Sequence, residues 1–86
     1  MNSDVARRVR EFIVTNFAVP GEEASLLTDD LSLLDQRIVD STGVLEIIGF
    51  IEREFAVQVA ATEMLRDNLD SIDKITAFVA RKKGGA

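Results

Sequence analysis

The stretch Val39–Phe55 constrains the fold more than any other part of the chain. After Asp40-Ser41, the residues Val44, Ile47, Ile48, Ile51 and Phe55 recur at i, i+3, i+4, i+7 and i+11. That spacing is one face of an α-helix and predicts a helix over 41–55. At about 100° per residue, the opposite face carries Thr42, Leu45, Glu46, Gly49 and Arg53. Ser41 is placed to cap this helix, since a serine oxygen there accepts a hydrogen bond from an otherwise unpaired backbone N–H. The rest of the chain must bury the first face and leave the second free.

Three further segments carry helical periodicity. Ser3 caps a helix predicted over 4–17, whose stripe is Val5, Val9, Phe12, Ile13 and Phe17, and Pro20 closes it. Thr62 caps a short helix predicted over 62–67, which is expected to turn Met64 and Leu65 inward. Asp70 or Ser71 caps a last helix over 71–82 with the stripe Ile72, Ile75, Phe78 and Val79. Cations near its end suit the negative pole of the helix dipole, and residues 83–86 are expected to fray. Ala56–Ala61 reads as extended coil, because a lone strand would have no pairing partner.

Residues 18–40 make a longer connection than compact domains usually tolerate without function or internal anchors. This one has anchors: Leu26, Leu27, Leu31, Leu33, Leu34, Ile38 and Val39. A turn or two of helix is expected over 22–27. Asp29–Asp35 is acidic but lacks the alternating carboxylates, central glycine and distal glutamate of a calcium loop. The expected fold is therefore all-α. It is a small four-helix bundle, three longer helices and one short third helix, with a long loop between helices 1 and 2. Its 86 residues form a single domain.

Composition limits the chemistry. The chain has no cysteine and no histidine, which removes thiolate nucleophiles, imidazole bases and the usual zinc ligands together. No catalytic residue and no metal site are expected, and the protein is not expected to be an enzyme. A net charge of −5 disfavours nucleic acid and anionic membrane surfaces. With neither a signal-peptide core nor a long apolar run, the expected location is cytoplasmic, without membrane insertion. Eight carboxylates fall between Asp40 and Asp73, against only Arg53 and Arg66 before Lys74. The acidic middle reads either as solvated helix faces or, more sharply, as a docking surface for basic partners.

Asp40-Ser41, the pair Leu45-Glu46 and the run Ile51-Glu52-Arg53-Glu54-Phe55 resemble the acyl carrier protein family. In that family an Asp-Ser pair precedes a helix with an acidic end closing on Phe. The resemblance spans nearly the whole domain, including the long loop, Thr62-Glu63-Met64 and Asn68-Leu69-Asp70-Ser71-Ile72. It implies a 4′-phosphopantetheine arm on Ser41, taken from coenzyme A by a phosphopantetheinyl transferase that Asp40 helps to engage. The arm's thiol would carry acyl or aminoacyl groups as thioesters, so the missing catalytic residues are expected. A phosphodiester at a helix start is also physically apt, because unpaired N–H groups favour an anion there.

The resemblance further implies that Thr42, Leu45, Glu46, Gly49, Glu52 and Arg53 form the partner-binding face, with Leu45 the apolar contact and Glu46 and Glu52 meeting basic residues. The partners it implies are an acyl- or aminoacyl-activating ligase and a downstream transferase or synthase, serving a monomeric carrier. The chain departs from fatty-acid carriers at Thr42, Gly43, Gly49 and Arg53, and Arg37 stands where many relatives have glycine. Gly43, Ile51-Glu52 and Val57-Gln58-Val59 look more like D-alanyl and aminoacyl carriers of specialised lipid or secondary-metabolite pathways. The alternative is a non-covalent interaction module that binds through the acidic face of the second helix, with Ser41 only a cap.

Overall fold

The computed structural model describes residues 3–17 and 27–84. They form four α-helices and no strand: α1 Ser3–Asn16, α2 Ser41–Phe55, α3 Arg66–Leu69 and α4 Ile72–Gly84. A 3₁₀ turn, Ala61–Glu63, precedes α3. The all-α class and the helix order are those the periodicity predicts. The turn expected over 22–27 falls on residues outside those described, apart from Leu27. The proposed Ser3 cap concerns a side chain that is likewise outside them. None of the described helices is long and apolar enough to cross a membrane.

α4 is the central element, and α1, α2 and α3 all pack against it. Its stripe Ile72, Ile75, Phe78 and Val79 is at most 2% exposed, as are Val9 and Ile13 from α1 and Ile47 and Ile51 from α2. Burying such side chains stabilises the fold by about 1.5–3 kcal/mol each before chain entropy is counted. The face of α2 chosen by spacing is the face that is buried, with Val44 only partly covered. Phe50, outside that stripe, is also buried. It stacks on Phe12 at 4.2 Å between ring centres and meets Phe55 edge-on at 5.8 Å.

The first loop is pinned as its leucines suggest: Leu27, Leu33 and Val39 are buried. Its fixed point is polar, however. Asp70, 4% exposed, accepts the Ser32 hydroxyl at 2.6 Å, the Leu34 N–H at 2.9 Å and an Arg66 guanidinium N–H at 2.9 Å. Its backbone carbonyl accepts the Leu33 N–H at 2.8 Å, and three residues on, the Asp73 N–H reaches the Asp29 carbonyl at 2.8 Å. The loop thus lies along the start of α4. A single helical turn follows, in which Ile38 N–H meets the Leu33 carbonyl and Arg37 N–H meets the Leu34 carbonyl. These paired bonds close helix ends and normally put glycine at the left-handed position. Here Arg37 occupies it, at φ 58°, which costs roughly 1 kcal/mol.

Two expectations are corrected. The short third helix does not run over 62–67, and Thr62 does not cap it. Glu63 instead accepts the Ala60 N–H and the Lys82 ammonium on its side chain, fixing a tight turn. Leu65 is then extended (φ −119°, ψ 151°), and α3 starts only at Arg66. As a result Met64 and Leu65 point outward, 42% and 54% exposed, and Leu69 is the residue that turns in. Of the tail expected to fray over 83–86, Lys83 and Gly84 are helical, the Lys83 ammonium holds the Phe55 carbonyl at 3.2 Å, and residues 85–86 lie outside those described. The cap of α4 is Ser71, whose hydroxyl oxygen accepts the Lys74 N–H at 3.0 Å.

Thr76 on α4 is buried, and its hydroxyl has no hydrogen-bond partner among the described residues. Valine has the same shape without the desolvated hydroxyl. Thr76→Val is expected to raise the unfolding free energy by about 1 kcal/mol, read from urea denaturation. A lower midpoint would show that the hydroxyl is satisfied in solution.

Candidate functional site

The start of α2 is built differently from the capped serine that the sequence suggests. Asp40 is the cap: extended at φ −104°, it accepts the Gly43 N–H on its carboxylate at 2.7 Å, and its carbonyl accepts the Val44 N–H at 3.0 Å. Asp and Ser are both good caps. Asp40 wins because its neighbour Val39 is buried against the core, which sets where the chain enters the helix. Ser41 becomes the first helical residue. It is exposed, and its hydroxyl makes no hydrogen bond among the described residues. The N–H groups of Ser41 and Thr42 remain open at the positive end of the helix, a setting that favours an anion.

Gly43 is fixed by packing. A Cβ there would lie 2.7 Å from the Phe17 ring and 2.9 Å from a Val39 methyl. The glycine that departs from the fatty-acid carrier pattern therefore lets the last turn of α1 and the loop close over the helix start. Gly49 is different. A Cβ there would meet only the Arg53 guanidinium, at an ordinary 3.9 Å, so nothing inside the molecule requires glycine.

Beside Ser41 opens a groove of about 290 Å³, mostly apolar. Val44 and Ile48 of α2 and Leu69 of α3 line it together with Leu34, Arg66 and Asp70. Leu45, Met64 and Leu65 border it, and these are the exposed large apolar side chains of the described residues. The hub that pins the loop is thus also one wall of the groove. The sequence reading missed Met64 and Leu65 as surface residues. Phe50 does not line the groove; it packs between Phe12 and Phe55.

The expected partner face is partly assembled. Thr42, Leu45, Glu46 and Arg53 are exposed and Gly49 is half-buried. Glu52 is exposed but committed, since its carboxylate accepts the Val59 N–H at 2.9 Å and ties down the connector after α2. No cluster of three or more carboxylates that could hold a metal ion occurs among the described residues.

Burial by itself raises the Asp70 carboxyl pKa. The bonds from Ser32, the Leu34 N–H and Arg66 outweigh that and hold it below the ordinary carboxylate value. A lowered folded pKa contributes stability above the unfolded value, about 3.9, and that stability is lost as pH falls through the folded pKa. Unfolding free energy should therefore decline on acidification below about pH 5, with a smaller decline in Asp70→Asn. Equal pH slopes for the two proteins in urea titrations would exclude Asp70 as the group responsible. The two glycines should separate in the same assay. Gly43→Ala is expected to lose about 1–3 kcal/mol through overpacking, whereas Gly49→Ala is expected to gain about 1 kcal/mol. No known protein-family model matches the chain, and its function rests on this geometry.

Proposed function

We propose that the protein is a cytoplasmic carrier, not an enzyme, that holds acyl or aminoacyl groups as thioesters on a 4′-phosphopantetheine arm attached to Ser41. The observation that supports this best is the division of labour at the start of α2. Asp40 takes the cap, so the Ser41 hydroxyl is exposed and uncommitted at a helix N-terminus. A serine serving only as a cap would have its oxygen occupied.

The residues present fit such a group. The open N–H groups of Ser41 and Thr42 suit its phosphodiester, and the groove bordered by Leu45, Met64 and Leu65 gives apolar surface beside it. When bound, the arm supplies the thiol that a chain without cysteine lacks. Ser41 is the acceptor in its attachment: its Oγ bonds to phosphorus as the pyrophosphate bond of coenzyme A breaks. The hydroxyl proton passes to the transferase, and adenosine 3′,5′-bisphosphate leaves. Asp40 fixes the backbone at the acceptor and presents a carboxylate next to it for the transferase to recognise. The partners are then the phosphopantetheinyl transferase, an activating ligase that loads cargo and a transferase or synthase that removes it, in a specialised lipid or secondary-metabolite pathway.

Incubation with coenzyme A and a broad-specificity transferase should add the mass of one phosphopantetheine to the wild type and none to Ser41→Ala, read by intact-protein mass spectrometry. A wild type left unmodified by several transferases overturns the reading. A non-covalent docking module is the second reading, favoured by the apolar rim of Leu45, Met64 and Leu65. It would leave Ser41→Ala functional in cells and Glu46→Lys inactive.

A further inference from the structure

Most of the carboxylates that crowd the middle of the sequence have a hydrogen-bond or ion-pair partner in the fold. Asp40 caps α2, Glu52 holds the Val59 N–H, Glu54 pairs with Arg8, Glu63 with Lys82, and buried Asp70 with Arg66. Asp67 and Asp73 lie outside α2. On the outward face of α2 the acid left without a partner among the described residues is Glu46. The same face carries a cation in the same condition. Arg53 is exposed and makes no ion pair among the described residues, whereas Arg7, Arg8, Arg10 and Arg66 all do.

The geometry of Arg53 makes it part of the docking row. Leu45, Gly49 and Arg53 follow one another at i, i+4 and i+8, a single line along the helix surface. The Arg53 guanidinium lies 3.9 Å from where a Gly49 side chain would begin, so it is folded back along the row toward Leu45. Gly49 stands about 6 Å along the axis from Leu45. The row therefore reads apolar knob, gap, cation, with Glu46 at its side and Leu65 and Met64 across the groove. Glu46 and Glu52 are the acids of this face and Arg53 is its cation; the hydrogen bond from the Val59 N–H leaves Glu52 charged. A uniformly basic patch would be attracted at Glu46 but repelled at Arg53.

We infer that the ligase loading this carrier presents an apolar surface to Leu45, Met64 and Leu65 and a carboxylate to Arg53, rather than a uniformly basic patch. This rests on the carrier reading of Ser41. Like-charge contacts across an interface are strongly disfavoured, so reversing the sign at 53 turns the proposed attraction into repulsion.

Wild type, Arg53→Glu, Arg53→Lys and Glu46→Lys are each loaded to completion with phosphopantetheine, verified by mass. Each is then incubated with ATP and an extract of the native cell, and cargo uptake is followed by intact-protein mass spectrometry. Arg53→Glu should slow uptake at least about tenfold, which corresponds to about 1.4 kcal/mol. Arg53→Lys should stay within about threefold, since a lone charge contact is kept, and thermal unfolding should confirm that all four proteins are equally folded. Uptake by Arg53→Glu at the wild-type rate, with uptake lost in Glu46→Lys, would overturn the inference in favour of a basic partner. A loaded wild type that stays bare in the extract overturns it as well. If instead the wild type takes no arm, it is the carrier reading itself that falls.

Discussion

The buried Asp70 carboxylate holds the loop that leads into Ser41 at the start of α2. Isolated loop backbone has few ways to satisfy its polar groups away from water, and this one solves the problem through a single acid. Asp70 takes the Ser32 hydroxyl, the Leu34 N–H and the Arg66 guanidinium at once. The carbonyls of Leu33 and Leu34 then close the turn ending at Arg37, and Val39 packs inward just before the cap. Removing one partner from such a buried network leaves the others unsatisfied, which costs more than the bond itself contributes. The loop, the start of α2 and the groove wall therefore hold together as one unit.

That arrangement explains a site that is rigid at its backbone and open at its hydroxyl. Asp40 satisfies the helix start, Gly43 admits Phe17 and Val39 against it, and Ser41 has no structural task left. The strain at Arg37, a left-handed position usually given to glycine, is tolerated because the turn around it is fixed from both sides. Ion pairs elsewhere, such as Arg8 with Glu54 and Arg10 with Asp29, are mostly exposed and contribute little each. The outward face of α2 has exposed Leu45 at its centre, with Glu46, Glu52 and Arg53 as its charged groups.

Much of this was legible in the sequence, because helix faces and missing chemistries are local properties. The periodicity of Val44 to Phe55 and of Ile72 to Val79 determined which sides of α2 and α4 are buried. The lack of cysteine and histidine excluded whole classes of chemistry, and Asp40-Ser41 marked where to look. Tertiary structure alone decided the rest, since those outcomes depend on competition between groups far apart in the chain. Ser32 and Asp70 meet across 38 residues, and no local pattern announces it. Asp40 displaced Ser41 as the cap because the buried Val39 set the entry of the chain. Glu63, held by Ala60 and Lys82, turned Met64 and Leu65 out to the groove. The acidity of the middle segment was countable from the sequence; which carboxylates are paired and which are not was decided only by the fold.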